Sequence, residues 1–396
     1  MEQRPARTDD GRCGGGDGST GAAILERAVA LQPLFAERAA EGERLRRLPA
    51  DVVAALTEAD LMRMCLPAEY GGPEVDPVTL IDAIAAVAEG DGAAGWCAMI
   101  ASTTSSLAAF LPAESARHIY GDPAVVTGGV FAPNGTGTSD VVDGVRGFRV
   151  TGRWPWGSGT QHCQWVLGGT RCDDDTFRLC WMPAAAVQFH DTWHSSGMRG
   201  SGSLDYSVDG VFVPEARTTR PGVTRPVVDS PSARFPNFSL LAAAVAAVGL
   251  GVARHALDEL YAVAQAKRPQ FATRTLAESS YTQLEVGRAE ATLRAGRAFL
   301  RDELAGAWDE VRAGAKVSLQ RRAGIRLAAV QAASSAVAVA DIAYTVAGGT
   351  SVYETSPLGR LARDAHVVTQ HIQTAPKLNE TIGKVLLGID TDVSVF

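Results

Sequence analysis

The spacing of apolar residues changes twice along this 396-residue chain, and that double change limits the folds open to it. From residue 22 to about 121 apolar side chains recur every three or four positions. In LERAVALQPLFAERAAEGERLRRL, Leu25, Ala28, Val29, Leu31, Leu34 and Phe35 share one helical stripe. Residues 122–218 lose that period: GFRVTGRW, QWVLGGT, FRLCWM, VQFH and DYSVDGVFV are short, rich in Val, Phe, Trp and Tyr, and bounded by Gly, Asp or Pro. The helical period then returns over 238–265, 273–312, 316–347 and 358–388, interrupted chiefly by AGGTSVYETSP (347–357). This order predicts an α+β chain: an N-terminal helical domain (22–121), a small antiparallel β-domain (122–218) built as a sandwich or barrel, and a C-terminal four-helix bundle (235–396). Residues 1–21 are Gly-rich, polar and without an apolar signal core, so a disordered tail on a cytoplasmic protein is expected.

Composition removes several function classes. A net charge of −7 predicts no affinity for nucleic acid or an anionic membrane. The most apolar run, LLAAAVAAVGLGVA (240–253), is followed at once by Arg254, His255, Asp258 and Glu259, and reads as a buried helix. Six cysteines without CxxC spacing are expected to be free thiols. His190 and His194 of HDTWH lack a third ligand, so no metal site is expected. Neither the glycines of 14–18 nor GGTS (348–351) opens a helix after a strand, so neither is a dinucleotide fingerprint.

GRWPWGSGTQHCQW (152–165) is the densest candidate site. Three tryptophans beside small residues suit a flat aromatic ligand approached closely by backbone. Each residue also has a plain structural explanation: Ser158 in a turn between two glycines, Trp156 in the core. His371, in RLARDAHVVTQH, reads as a helical histidine either satisfied by a neighbour or available for proton chemistry.

Domain order and four motifs together resemble the acyl-CoA dehydrogenase fold, and within it the monooxygenases that receive reduced flavin from a separate reductase. The motifs are FAPNGTGTSD…GFRVTGRWPWGSGTQHCQW (131–165), DTWHSSGMRGSGSLDYSVDGVFVPE (191–215), KRPQF (267–271) and AYTVAGGTSVYETSPLGRLARDAHVVTQH (343–371). The resemblance implies that Trp156 and Phe131 lie along the isoalloxazine ring and that Ser158 meets its N5 edge. It implies that Arg268, with Phe271, reaches the flavin nucleotide of a neighbouring subunit, that Gly348 and Gly349 let backbone approach the nucleotide, and that Thr374 adds a phosphate or ribose contact. The implied cofactor is FADH2, with FMNH2 as the alternative. The implied partners are dioxygen, a small aromatic substrate and a flavin reductase, in a homotetramer.

Within that resemblance, a dehydrogenase needs a carboxylate base. Its usual position, seven residues beyond Ala365, is Ile372, and no Glu occurs from Ala216 through Asp258, where the alternative base would stand. His371 sits beside the empty position, as in the monooxygenase relatives, where it would act as acid, base or hydrogen-bond partner to a C4a-(hydro)peroxyflavin. Thr103 and Thr104 stand where relatives often carry a second histidine. The expected reaction is oxygenation of an electron-rich phenol- or indole-like ring. Amine N-oxygenation, an acyl-CoA dehydrogenase with an unorthodox base, and a flavin-free binding protein are the alternatives.

Overall fold

The computed structural model describes residues 18–393 and 396. Helix α1 (Gly18–Ala30) begins inside the segment expected as a tail; residues 1–17 lie outside the described residues. It is followed by α2 (Gln32–Leu45), α3 (Ala50–Glu58), α4 (Pro77–Gly90), α5 (Gly92–Ser105) and α6 (Ala113–Tyr120). The single stripe read over 25–35 is split between α1 and α2, because Pro33 cannot donate the hydrogen bond a continuous helix needs there.

Two aspartates start the helices that matter most for the site. Asp76 accepts from Val78 N and Thr79 N to cap α4, and Asp91 accepts from Ala94 N to cap α5. Helix α5 is buried nearly all round. Only Ile100 and Thr103 along it stay half-buried, and with Trp96 they form one stripe at spacings of three, four and seven.

The central strands are β1 (Thr127–Val142), β2 (Val145–Trp154), β3 (Trp165–Cys172), β4 (Phe177–Pro183), β5 (Gln188–His190), β6 (Asp205–Pro214) and β7 (Thr218–Thr219). They form one seven-stranded sheet in the order β5-β6-β2-β1-β3-β4-β7, rather than the expected antiparallel sandwich or barrel. The difference lies in the long strand β1. It pairs antiparallel with β2 on one side and parallel with β3 on the other, so consecutive β2 and β3 are not neighbours. The connection 155–164 must therefore pass over β1.

After α7 (Pro231–Arg234) comes the bundle: α8 (Asn237–Ala266), α9 (Ser280–Arg312), α10 (Leu319–Ala347), α11 (Pro357–Val368) and α12 (Leu378–Leu386). Helix α8 is long and apolar enough to cross a membrane by length and composition, but it is the buried helix that the sequence suggested. Its small residues permit close crossings. A Cβ on Gly251 would stand 2.3 Å from the Ala85 carbonyl oxygen of α4, and one on Gly249 would stand 3.3 Å from Val368 at the end of α11.

The fourth bundle helix, expected over 358–388, is broken into α11 and α12. Thr374 Oγ1 donates to the Val368 carbonyl at 2.6 Å, and Pro376 lacks an N–H with which to continue the ladder. His371 therefore sits in the break, not on a helix.

Candidate active site

The connection 155–164 is stitched to the segment before β6 by Gly157 N to Leu204 O and Gly159 N to Ser201 O, both 2.9 Å. The three tryptophans of 152–165 part company. Trp154 is fully buried, donates Nε1–H to the Gly169 carbonyl at 2.8 Å and stacks on Tyr206 at 5.3 Å. Trp165 packs edge-on to His118 and under Arg217. Trp156 alone presents its ring outward, 69% exposed, with a positive φ of 62°. A bulky residue in that region costs about 1 kcal/mol or more. The turn persists because Gly157 is pressed against Tyr206, where a Cβ would stand 2.6 Å from the ring.

Strand β1 leaves the ladder midway along its length. Its pairing with β3 skips from Val130 to Gly135, freeing 131–134, and Gly169 accepts the intrusion because a Cβ there would strike the Phe131 and Ala132 carbonyls. The antiparallel register between β1 and β2 ends at Gly135↔Gly152, so neither Phe131 nor Trp156 is held by that ladder. Phe131 meets Phe238 of α8 edge-on at 6.1 Å.

Ser158 points inward and is buried. Trp96 Nε1 donates to its Oγ at 3.0 Å, and its Oγ lies 2.7 Å from Ser203 Oγ. Ser203 Oγ is 2.7 Å from Ser201 Oγ, and Ser201 donates to the Met198 carbonyl at 2.7 Å. Met198 N in turn donates to Asp364 of α11. Burial, followed by the charge of Asp91, pushes the Asp364 carboxyl up to about 7.

His371 also meets Trp96, ring centroids 5.7 Å apart and edge-on. Its Nδ1 accepts the Gln373 backbone N–H at 3.2 Å, so the neutral ring carries its proton on Nε2. Burial, and then the Arg326 cation, lower its pKa to about 4, and it is neutral at pH 7. Arg326 itself is buried, donating to the Gln373 carbonyl at 3.1 Å, the Gln373 side-chain oxygen and the Phe238 carbonyl at 3.4 Å.

The remaining predicted residues fall into two groups. Arg268 and Phe271 lie on an exposed loop, Phe271 98% exposed with φ 66°. Gly348 (φ 62°) and Gly349 are exposed at the end of α10. Lys267 Nζ donates to the Ala347 carbonyl at 2.6 Å, so these two segments are neighbours within one chain. Thr374 is fully buried, with its hydroxyl spent on the Val368 carbonyl. It supports the His371 turn from within, and a phosphate or ribose contact through its side chain is not available. His190 Nε2 is 2.7 Å from Ser207 Oγ, while His194 lies beside Arg46.

Sequence reasoning missed Trp96, Ser201, Ser203 and Asp364. Serines 201 and 203 lie inside the motif 191–215 and Asp364 inside 343–371, while Trp96 lies outside all four motifs. Nothing local in the sequence says that they meet.

The residues present fit a flavin. The site offers an uncovered Trp ring, strand backbone released from its ladder, and a buried serine oxygen with a lone pair to spare. Fold and site together define an acyl-CoA dehydrogenase architecture in which a neutral imidazole, in a turn holding no carboxylate (369–377), packs against Trp96.

Residues 27–115 match the family Acyl-CoA dehydrogenase, N-terminal domain, and residues 243–376 match Acyl-CoA dehydrogenase, C-terminal domain. The chain is 35% identical to an indole-3-acetate monooxygenase of Pseudomonas putida, over 89% of this chain and 90% of that protein. It is 30% identical to the flavin-dependent monooxygenase oxygenase subunit HsaA of Rhodococcus jostii, over 89% and 95% of the two chains. Its fold matches XiaF from Streptomyces, solved with FADH2 and glycerol, with a TM-score of 0.87 at 26% identity, over 95% of this chain and 97% of that one. The chain belongs to the flavin-dependent monooxygenases of the acyl-CoA dehydrogenase fold.

Proposed function

We propose that the chain is the oxygenase component of a two-component system that takes FADH2 from a separate reductase and hydroxylates a small, electron-rich aromatic substrate whose ring N–H or O–H stays protonated, indole-like in the first instance. The observation that carries this reading is that His371 and Ser158, far apart in sequence, both contact Trp96. When bound, reduced flavin supplies the electrons for dioxygen and delivers one oxygen atom to the substrate.

The chain's own residues do the rest. Trp156 and the 131–134 bulge offer a face for the ring, and Arg268 with Gly348 and Gly349 supplies a cation and open backbone for the nucleotide. His371 offers an Nε2–H and is held neutral, so it donates a hydrogen bond without protonating the centre prematurely. Ile100, Phe131, Phe238 and Leu241 are half-buried apolar residues of α5, β1 and α8, and suit a cleft wall that keeps water out. Thr103, on the Trp96 stripe, donates its hydroxyl proton to the Met99 carbonyl at 2.8 Å and can only accept from a ligand. A threonine in that state is no base, which favours a neutral N–H or O–H substrate over one that must be deprotonated. The indole-3-acetate relative supports the same choice.

The exposed apolar side chains Phe271, Tyr281, Leu284, Val352, Tyr353 and Leu387 of the C-terminal region support assembly, and a homotetramer is the form we propose.

The test mixes anaerobically reduced FAD and protein with oxygenated buffer containing indole, indole-3-acetate, phenol or resorcinol, and identifies products by mass. A product one oxygen heavier from an indole supports the reading. Oxidation of an acyl thioester with a dye acceptor and no reductase, and no aromatic product, overturns it.

A further inference from the structure

The serine chain behind the site has a direction. Ser201 has a single hydroxyl proton, and it goes to the Met198 carbonyl, which can only accept. Ser201 must therefore accept in its 2.7 Å contact with Ser203, and Ser203's proton is spent there. Ser203 must then accept from Ser158 across their own 2.7 Å contact. At the far end the indole N–H of Trp96 can only donate, so it also hands its proton to Ser158. The order Trp96 → Ser158 → Ser203 → Ser201 → Met198 carbonyl is the one assignment in which every contact holds a proton. All three serines are buried, 1–6% exposed, so water does not readily offer substitutes. The terminal acceptor is itself anchored: Met198 is held at φ 50° and its N–H is taken by Asp364.

We infer that Ser203 and Ser201 are the positioning residues that fix Ser158 as an acceptor toward flavin N5, and so set how strongly the site tells reduced from oxidised flavin. The inference rests on the flavin reading above and deepens it. Ser158 Oγ has one lone pair left and no proton to give. Reduced flavin carries a hydrogen on N5 and matches that lone pair; oxidised flavin carries a lone pair on N5 and opposes it. Ser201 and Ser203 touch neither flavin nor substrate in this scheme and are positioning residues that set the polarity of Ser158. An oxygenase that depends on a separate reductase gains from this, since the spent cofactor is the form that fits less well. One mismatched, buried hydrogen-bonding group corresponds to a preference of roughly tenfold to a hundredfold.

The experiment measures Kd for chemically reduced FAD, under argon, and for oxidised FAD, by quenching of protein fluorescence. It uses the full chain and its Ser203→Ala and Ser201→Ala variants. Wild type should bind the reduced form at least about tenfold more tightly. Removing the Ser203 hydroxyl frees the Ser158 proton to turn outward. Removing the Ser201 hydroxyl lets Ser203 donate back to Ser158, with the same result. Both variants should gain affinity for oxidised FAD, and the ratio should fall toward one. A merely structural role would weaken both forms together and leave the ratio unchanged. An unchanged ratio in variants that still bind flavin overturns the inference and leaves the monooxygenase reading standing. Wild type that binds neither form overturns both.

Discussion

Trp96 joins the two halves of the site: its Nε1–H donates to Ser158 Oγ at 3.0 Å, and its ring meets His371 edge-on at 5.7 Å. The two segments are also tied behind the site, where Asp364 of α11 takes the Met198 N–H and Met198 takes the Ser201 proton. His371 and Ser158, 213 positions apart in sequence, are thus held in one closed circuit of contacts.

Trp96→Phe keeps a ring against His371 and deletes the donor to Ser158. The stability loss should be modest, about 1 kcal/mol for one buried hydrogen bond. Product formed per oxygen consumed should fall and hydrogen peroxide release should rise, because Ser158 loses the contact that orients it. Coupling unchanged within error would show that the indole N–H has no part in positioning Ser158.

His371 should not titrate in the working range. Its folded value of about 4 lies below the ordinary 6.5, so the neutral ring is the form that favours folding. Stability from this group is whole above pH 6.5 and is lost as pH falls toward 4. Coupling of oxygen use to product should therefore stay flat from about pH 6.5 to 9, measured with a neutral substrate. His371→Ala should retain flavin binding and uncouple at every pH. A limb near pH 6.5 that vanishes in the variant would mean that the imidazole protonates during turnover.

Asp364→Asn keeps an acceptor for Met198 N–H and removes a charge whose ionisation the fold resists. With its pKa raised from 3.8 to about 7, the protonated carboxyl favours folding. That contribution is whole below pH 3.8 and is lost as pH rises to 7. The stability of the variant, followed through its thermal midpoint, should therefore gain on wild type between pH 5 and pH 8, by a free energy on the order of a few kcal/mol at most. Parallel midpoints across that range would contradict the assignment.

Arg268→Ala should lower flavin affinity, on the order of tenfold for one charge-assisted contact, with the thermal midpoint of the flavin-free protein unchanged. Arg268 is exposed and lies on the loop that Lys267 fastens to the end of α10. Equal affinity in the variant would remove Arg268 from the cofactor site.

Much of this was legible in the chain itself. The two changes of hydrophobic period mark three regions, and capping residues and prolines set where most helices start. They do so because helix and strand periodicity are properties of consecutive residues. The motif order identified the family, and the missing carboxylate near Ile372 separated oxygenation from dehydrogenation. What local pattern could not supply was the sheet order, since β1 pairs with β3 across a connection that periodicity does not register. It also missed the break between α11 and α12, which depends on a threonine hydroxyl taking a carbonyl six residues back. Trp154 and Trp156 look alike in sequence. One is sealed under Tyr206 and the other turned outward by a left-handed backbone that Gly157 makes possible, and only packing distinguishes them. The sequence by itself determined which chemistry the chain can hold. The direction of the serine chain, the neutrality of His371 and the role of Trp96 were decided by tertiary structure. Each depends on burial and on partners from distant segments, which no run of neighbouring residues encodes.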